Sequence, residues 1–379
     1  MVKIALVNPI TRSQVGGKIP KIVSNREAMI VQTARAIADL GHEVMVYASA
    51  TYRPEQSDEG VSISYLPDFL SRIFPPAKIP WLQGLASELV QGGFDAVLAS
   101  ETLQPATLAC VRAKSRRQFR LVIWQEMGHF QKPFLTLAAR LYYLTLARWV
   151  FARADLFIPR CLRAAIFLLG NGLQPAKLGP IIPHGVAGEI FHPGPRPPQN
   201  PGYLLCVGNL MERKGVDVLI RAFAQVAPNF PGLRLILKGA GPLEPAWRSL
   251  ASSLGMNGRV VFDTQRSNHR EMAELYRGAL FAVLPSPTDL LPFAPLEAMA
   301  CGRPVIISDG IYFCDELSDG VGGLVFPRGN VDALAAAMRS LLESPARRET
   351  LARQAAERGQ IFHNRRVVAA LVRELGREG

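Results

Sequence analysis

Short apolar runs alternate with longer helix-like segments along nearly the whole chain of 379 residues. Turn-forming residues bound many of the runs, and the longer segments carry apolar residues at helical spacing. This alternation is typical of β/α units, in which helices join parallel strands. We therefore predict an α/β fold. Strands are expected at residues 2–8, 43–49, 95–100, 120–124, 155–159, 179–183, 203–208, 233–239, 259–263, 280–285 and 304–308.

Chain length and one proline-rich stretch predict two domains. A chain of 379 residues is longer than a single hydrophobic core usually serves. Residues 192–202, HPGPRPPQNPG, hold five prolines and two glycines and cannot form a regular element. We expect a first domain at 1–191, a linker at 192–202 and a second domain at 203–359, with a C-terminal helix at about 360–379 packed back on the first. Two such doubly wound domains would face each other across a cleft, with ligands beyond the carboxyl ends of the strands.

Composition narrows the class of protein. Apolar residues make up 49% of the chain and charged residues 20%, which favours packed cores over disorder. The five cysteines are scattered without a C-x-x-C pair, which predicts a reduced, cytosolic protein without structural zinc. The N-terminus resembles a first strand and not a signal peptide. The six histidines are dispersed and no D-x-D follows a strand, so we expect neither a metal nor another cofactor.

The net charge of +12 is concentrated between residues 110 and 163, where eleven Lys or Arg accompany two acids. Such a segment attracts anionic lipid, nucleic acid or a phosphorylated substrate, or it is simply a solvated face. Residues 132–153 within it are apolar and aromatic, interrupted by arginines, as on an interfacial helix; a buried helix with snorkelling arginines is the alternative. The chain shows no recognisable base-reading module, so nucleic acid is not an expected partner. No uninterrupted apolar segment is long enough to predict a membrane-spanning helix.

The ends of the first helix and the loop before it carry recognisable signals. Residues Ser24 to Glu27 fit a capping box for that helix, and Gly41 is a plausible C-cap. The long preceding loop contains Gly16 and Gly17 flanked by lysines. Backbone N–H groups and cations there could approach an anion, or the glycine pair could form an ordinary turn.

Three loops in the second half follow expected strands. Arg213 and Lys214 precede a helical pattern, where the helix dipole and free N–H groups favour phosphate; a plain surface charge is the alternative. GAGP, at 239–242, permits close approach of a ligand or forms a tight turn. Asp289 lies at the carboxyl end of the strand expected at 280–285, and Glu297 is expected in the first turn of a helix that begins at Pro295. Carboxylates there can accept two sugar hydroxyls, or they only cap the helix and turn the chain.

Together these stretches resemble the retaining, nucleotide-sugar-dependent glycosyltransferases of the GT-B fold, glycosyltransferase family 4. GNLMERKGVDVLIRAF (208–223) is similar to the family's G-R-L-x-x-x-K-G-x-D-x-L-I-x-A-F, and GAGP is similar to its G-x-G-P. The stretch 289–308 is similar to E-x7-E-A-M-A-x-G-x-P-V-I-x-S, and weaker similarity covers nearly the whole chain. The resemblance implies two Rossmann-like domains and a hexosyltransferase that moves a sugar from a nucleoside diphosphate sugar to an acceptor hydroxyl with retention.

The resemblance also implies roles for individual residues. Glu297 would bind the ribose, Asp289 would contact the donor sugar, and Lys214 would hold the diphosphate and stabilise the leaving group. The family carries a histidine near the reacting sugar carbon, for which the stretch WQEMGHF offers either Glu126 or His129. The implied catalytic residues are Glu126, His129, Lys214 and Asp289, and the implied donor-binding residues are Gly16, Gly17, Asn209, Arg213, Lys214, Gly239, Gly241, Phe293, Ala294, Pro295, Leu296 and Glu297.

Three positions depart from the family pattern. Asn209 stands in place of an arginine, Asp289 in place of a glutamate, and Pro292 in place of a glycine. Because all three lie on the phosphate and sugar side, a non-catalytic GT-B scaffold or binding subunit is the alternative hypothesis. The expected partners of an active enzyme are the nucleotide-sugar donor, a glycan or lipid-linked acceptor and an anionic membrane surface. We expect it in the cytoplasm or on the inner face of the cytoplasmic membrane, in cell-surface glycan or glycolipid synthesis.

Overall fold

The computed structural model describes residues 1–11, 22, 24–56, 60–69, 80–130, 133–194, 202–317 and 320–377. These residues form two compact units. The first unit contains Met1–Gly185 and Asn364–Gly379, and the second contains Val186–His363. Each unit is built around one six-stranded sheet. Among the described residues, no helix has both the length and the apolar character needed to cross a membrane.

The first unit has a parallel sheet of order β3-β2-β1-β4-β5-β6. Its strands are β1 (Lys3–Val7), β2 (Glu43–Ser49), β3 (Ser62–Leu66), β4 (Ala96–Ser100), β5 (Arg120–Gln125) and β6 (Leu156–Pro159). Its first six helices are α1 (Met29–Asp39), α2 (Leu85–Gln91), α3 (Pro105–Lys114), α4 (Pro133–Leu144), α5 (Leu146–Arg153) and α6 (Leu162–Gly170).

The second unit has a parallel sheet of order β12-β11-β10-β7-β8-β9. Its strands are β7 (Tyr203–Val207), β8 (Arg234–Lys238), β9 (Val260–Asp263), β10 (Phe281–Leu284), β11 (Val305–Ser308) and β12 (Gly323–Phe326). Its helices are α7 (Val216–Val226), α8 (Glu244–Ser253), α9 (His269–Gly278), α10 (Phe293–Ala300), α11 (Val331–Leu342) and α12 (Pro345–Gly359). The last helix, α13 (Asn364–Leu375), belongs to the first unit.

The unbroken apolar runs are explained by burial on both faces of each sheet. On β1, Ala5 and Val7 belong to one apolar cluster, whereas Ile4 and Leu6 belong to the cluster on the opposite face. A strand covered by helices on both sides has no solvated face and therefore shows no polar alternation. This confirms the prediction of doubly wound parallel sheets.

Ten of the eleven expected strands are present within a residue or two of their predicted ends. The prediction of a strand at residues 179–183 is wrong. An isolated bridge from Leu178 to Phe157 and hydrogen bonds from Gly179 N to Phe157 O and from Ile182 N to Pro159 O connect this segment to β6, but no strand forms. Pro180 and Pro183 lack the N–H groups that a strand ladder requires.

The expected start of the first helix is also wrong. Helix α1 begins at Met29, with Ala28 as its N-cap and no side-chain cap. The Ser24 hydroxyl instead accepts a hydrogen bond from Arg26 N, at 3.0 Å, in the turn before the helix. The predicted end is confirmed, because Gly41 follows the helix with φ +85°.

The contacts divide the chain at residue 185, whereas the sequence-based boundary lies after residue 191. Val186 N donates to Phe362 O at 2.7 Å, and the Phe191 ring packs against the ring of Tyr276. Residues 186–191 therefore belong to the second unit. Helix α13 returns to the first unit, where Val368 and Leu371 lie in one apolar cluster with α1.

Candidate functional site

The candidate site of the second unit lies where its strand order reverses, between the neighbouring strands β7 and β10. The loops after two such strands leave in opposite directions and open a crevice at the carboxyl edge of the sheet. The loop after β7 ends in a 3₁₀ turn, Glu212–Lys214, and the loop after β10 contains Asp289. The sheet topology therefore brings together two of the residues that the sequence predicted.

Lys214 and Asp289 form a direct ion pair between Nζ and Oδ2. Their side chains are 14% and 13% exposed, so the pair is largely shielded from water. Arg213 Nη1 lies 3.4 Å from the other carboxylate oxygen and is more exposed. Two cations thus share one carboxylate, which leaves a surplus positive charge at the crevice and suits an anionic ligand.

The Asp289 backbone is held by the segment that follows β11. Asp289 N donates to Gly310 O at 3.2 Å, and Tyr312 N donates to Asp289 O at 3.1 Å. Leu290 N donates to the Asp289 carboxylate as well. These contacts fix the position of the short side chain, so its contact with Lys214 does not depend on a freely moving loop.

Glycines allow the loops around Lys214 to pack backbone against backbone. A Cβ atom at Gly239, where φ is +140°, would lie 2.1 Å from Gly208 O. A Cβ atom at Gly241 would lie 2.2 Å from Leu210 O. Both distances are far shorter than any real contact, so these two glycines fit the loop after β8 against the loop after β7. Asn209, half-buried between Gly208 and Leu210, lies in the loop they support.

Helix α10 starts earlier than its sequence predicts. It begins at Phe293 with Pro292 as N-cap, so Pro295 is its third residue and Glu297 its fifth. The predicted position of Glu297 in the first turn is therefore wrong, because Pro292 has the extended backbone of an N-cap. The end is as expected, since Gly302 follows with φ +70°.

The first turn of α10 presents few groups to a ligand. The side chains of Ala294, Pro295 and Leu296 are buried, and Leu296 lies in the apolar core. Pro292 and Pro295 have no N–H, so Phe293 and Ala294 carry the N–H groups of this turn. Within the predicted stretch 293–297, only Phe293 and Glu297 have appreciably exposed side chains.

Glu297 is a half-buried carboxyl held by one tyrosine. The hydroxyl of Tyr276, on α9, donates to Glu297 Oε2 at 2.8 Å. Oε1 has no hydrogen-bond partner in the part of the chain that the structure describes. Burial raises the pKa of Glu297 to about 7, and the Tyr276 hydrogen bond acts in the opposite direction. One carboxylate oxygen is therefore available to accept a hydrogen bond from a ligand.

The reversal point of the first sheet lies between β1 and β4 and carries an acid that the sequence did not single out. Glu101 directly follows β4 and, with φ +64°, is the one non-glycine residue with positive φ among the described residues. Its carboxylate accepts a hydrogen bond from Glu126 N at 2.7 Å and another from Met127 N at 3.3 Å. A strained backbone at such a point is a recurrent feature of functional sites.

Glu101 is part of a charged cluster at the ends of β4, β5 and β6. Glu126 pairs with the buried guanidinium of Arg160 at 2.9 Å, and this guanidinium lies 4.0 Å from the ring centre of Trp124. Burial, and then the charge of Glu126, raise the pKa of Glu101 to about 7, while Arg160 opposes this. This cluster of charged groups with a raised carboxyl pKa is therefore a candidate functional site of the first unit.

The two candidates for the family histidine position have different surroundings. Glu126 is engaged by Arg160, whereas His129 is half-buried and its pKa is lowered by burial and by Arg163. Gly16 and Gly17 lie outside the described residues. Across the described ranges, no three His, Cys, Asp or Glu residues form a group that could hold a metal ion.

Two family models match the chain. The Glycosyl transferase 4-like domain matches residues 27–181, and Glycosyl transferases group 1 matches residues 189–358, which includes the crevice with Lys214, Asp289 and Glu297. The chain belongs to the group 1 glycosyltransferases of family 4. Its two units are the Rossmann-like domains of the GT-B fold, as the resemblance implied.

Solved GT-B structures match this group 1 glycosyltransferase over almost its whole length. HepE from Anabaena, in complex with UDP, has a TM-score of 0.77 and 17% identity, and the match covers 98% of this chain and 99% of HepE. A glycosyltransferase from Rickettsia africae has a TM-score of 0.76 and 14% identity, with 99% and 97% covered. At these identities the likeness concerns the fold.

Curated relatives are named D-inositol 3-phosphate glycosyltransferase. The one from Nocardiopsis dassonvillei is 34% identical over 194 residues, which cover 47% of this chain and 45% of the relative. The one from Stackebrandtia nassauensis is 27% identical over 371 residues, covering 88% and 82%. For the first three relatives, the matched part spans about half of their length.

Proposed function

We propose that this chain transfers a hexose from a nucleoside diphosphate sugar to an acceptor hydroxyl, with retention at the anomeric carbon. The observation that carries the proposal is that the second unit holds two suitable groups. One is the shielded Lys214, beside Arg213, with a surplus of positive charge, and the other is the Glu297 carboxylate, whose Oε1 is available as an acceptor. The lysine suits a diphosphate, and the free carboxylate oxygen suits a ribose hydroxyl. HepE, which shares the fold, was solved with UDP and with UDP-glucose.

On the donor side, Lys214 exchanges its partner. It contacts Asp289 in the structure, and the donor diphosphate replaces that carboxylate as counter-ion. The negative charge that develops on the leaving nucleoside diphosphate then meets a cation that is already positioned and partly desolvated, which stabilises the transition state. The family pattern has a second cation, an arginine, at the position of Asn209. Arg213 takes its place here, because it reaches the carboxylate of Asp289.

Glu297 and the start of α10 bind the nucleoside and sugar. A ribose hydroxyl donates to Glu297 Oε1, while Tyr276 holds Oε2. The N–H groups of Phe293 and Ala294 face the donor, because Pro292, which stands where the family has a glycine, has no N–H to offer. Asp289, once released by Lys214, accepts a hydrogen bond from the sugar, and this contact selects the hexose.

The acceptor side is assigned to the first unit, with His129 or Glu126 near the reacting carbon. We propose a glycan or lipid-linked acceptor, consistent with the basic segment at residues 110–163, and a place on the inner face of the cytoplasmic membrane in cell-surface glycan or glycolipid synthesis. The names of the curated relatives make inositol 3-phosphate a useful member of any acceptor panel. Metal-independent transfer remains part of the proposal.

The test combines donor screening with two variants. Thermal unfolding with a panel of nucleoside diphosphates and their sugars identifies the donor, since a ligand of the native state raises the unfolding temperature. Lys214→Ala is expected to lower kcat about 100-fold or more, as the loss of one transition-state charge contact does. The matched control, Arg353→Ala, removes an exposed cation on α12 and leaves kcat unchanged.

Product analysis decides between transfer and a binding role. The anomeric configuration of the product, read by NMR coupling constants, is expected to match that of the donor sugar. Binding of a nucleotide sugar without any turnover, across all donors and acceptors, would favour the non-catalytic scaffold. Inversion of configuration would refute the retaining mechanism but not the donor site.

A further inference from the structure

Leucines on α4 and α5 face solvent on a protein with sizeable buried cores. Leu137, Leu141 and Leu144 are each more than half exposed and lie at spacings of four and three residues, on one face of α4. Leu146 and Trp149 continue the exposed apolar surface on α5. An apolar stripe of this kind, on a helix that has an apolar partner on its other side, marks an interaction surface.

A groove adjoins this stripe. It has a volume of about 450 Å³ and lies between α2, α3 and α5. Trp81 and Trp149 line it, and both rings are partly exposed, at 49% and 38%. Leu82 and Leu108 form part of its apolar lining, and Arg112 and Arg116 form its basic part. Paired apolar and cationic walls suit a ligand that has a negatively charged head and an apolar body.

The basic side chains around the groove are available to a partner. Arg112 and Arg116 are exposed and make no ion pair within the described ranges of the chain. Helices α3, α4 and α5 contain no acid. Glu88, the acid on α2, does not line the groove. Its charge lies close to the Tyr47 hydroxyl, and burial together with this charge raises the pKa of Tyr47.

We propose that this surface, which we call the α2–α5 face, docks the protein on an anionic phospholipid bilayer. The leucines of α4 and α5 enter the acyl boundary, the two tryptophans lie at the level of the headgroups, and the arginines of α3 bind lipid phosphate. Nucleic acid would match the charge but would leave the leucine stripe in water. The inference deepens the proposed function, since it gives the acceptor side a lipid surface, but binding itself requires no sugar transfer.

Vesicle binding tests the proposal on the full-length protein. Vesicles of equal parts phosphatidylcholine and phosphatidylglycerol are expected to sediment the protein, whereas phosphatidylcholine alone does so much less, and added salt weakens the binding. Trp124 and Trp247 are buried, so a blue shift of tryptophan emission on binding reports Trp81 and Trp149. The shift is expected to shrink in Trp149→Phe.

Two variants and one matched control locate the surface. Arg112→Gln/Arg116→Gln is expected to bind anionic vesicles roughly 30-fold more weakly than the parent. Each basic residue near the lipid surface strengthens binding roughly five-fold, and the variant loses two. Arg365→Gln/Arg366→Gln removes the same charge from exposed positions on α13 and is expected to bind like the parent. Leu137→Ser/Leu141→Ser is expected to weaken binding and to reduce the emission shift, while both unfolding temperature and the transfer of sugar to a water-soluble acceptor stay unchanged.

Several results would overturn the proposal. These are equal binding to neutral and anionic vesicles, equal loss in the α13 control, or binding of a DNA oligonucleotide with the same dependence on Arg112 and Arg116. A dimer of the protein alone that Leu137→Ser/Leu141→Ser dissociates, seen by light scattering, would assign the face to a second copy of the chain. Failure of sugar transfer with vesicle binding intact would refute only the proposed function.

Discussion

Replacing Glu297 with glutamine is expected to stabilise the second unit and to abolish nucleotide binding. In the folded chain the pKa of this carboxyl is about 7, against an ordinary value of 4.5. Between these two values the folded state holds a proton that the unfolded state has released. Stability therefore falls as the pH rises from about 4.5 to about 7 and stays lowered above that range.

The size of this loss follows from the two pKa values. The difference corresponds to about 3 kcal/mol once the group is ionised in both states. Glu297 is half-buried, so solvent screening reduces the figure to about 1 to 3 kcal/mol. In Glu297→Gln the amide oxygen still accepts the Tyr276 hydroxyl, so the variant loses the charge without losing that hydrogen bond.

Thermal unfolding at two pH values tests the prediction. At about pH 8 the variant is expected to unfold roughly 2 to 10 °C above the parent, and at about pH 4 the two are expected to be similar. Glu357→Gln, at an exposed position on α12, is the control and should show no such difference. A nucleoside diphosphate is expected to stabilise the parent but not Glu297→Gln, because the amide nitrogen takes the place of Oε1 and cannot accept a hydrogen bond from a ribose hydroxyl.

Two results would refute this reasoning separately. If Glu297→Gln is no more stable than the parent at high pH, burial does not penalise the ionised carboxylate. If a nucleoside diphosphate stabilises the variant as strongly as the parent, Glu297 does not bind the ribose. The first result concerns the electrostatics of the folded chain, and the second concerns the donor site.

Three further predictions concern the two sheet edges and the proposed metal independence of transfer. Glu101→Gly and Glu101→Ala both lose the carboxylate contacts, but only the alanine variant keeps the backbone strain at φ +64°. Chemical denaturation is therefore expected to show the glycine variant to be more stable than the alanine variant by about 1 kcal/mol. Gly239→Ala is expected to lose nucleoside diphosphate binding in thermal unfolding, because its Cβ meets Gly208 O, whereas Gly258→Ala, with positive φ and open space, keeps it. Transfer is expected to continue in excess chelator, and complete loss of activity there would contradict metal independence.

The sequence predicted the strands of both sheets well because each is an apolar run bounded by turn residues. It missed β3 and β12, which lie at the edges of their sheets. β3, with the sequence SISYL, alternates polar and apolar residues, and β12, with the sequence GLVF, begins with a glycine. The other two edge strands, β6 and β9, were predicted, so the polar residues and the glycine, and not the edge position alone, hid β3 and β12.

The candidate donor-side residues could be proposed from the sequence because the patterns that indicate them are local. Lys214 precedes a helix and Glu297 lies within one, and both patterns are visible over a few residues. The placement of Glu297 in the first turn was wrong because two prolines, Pro292 and Pro295, were both compatible with a helix start. Only the backbone of the folded chain distinguishes the N-cap from the third helical position.

Glu101 could not have been found in the same way. Its importance comes from the pairing of β1 with β4 and from contacts with Glu126 and Met127, twenty-five residues or more along the chain. Nothing in the stretch SETLQ indicates a positive φ, since a glycine, asparagine or aspartate would be the usual signal. Strand order and long-range hydrogen bonds are properties of the sheet, which no short motif encodes.

Two of the three departures from the family pattern, Asn209 and Asp289, have a joint explanation in the contacts of Asp289. Asp289 is shorter than glutamate, but its backbone is fixed by Gly310 and Tyr312, and its carboxylate lies between Arg213 and Lys214. A neutral Asn209 leaves one cation fewer in the loop after β7 than the family pattern has, and Arg213 of the following turn lies 3.4 Å from the Asp289 carboxylate. We infer that these changes go together: a donor that displaces Asp289 meets both cations at once, so restoring arginine at position 209 alone should tighten diphosphate binding without raising kcat.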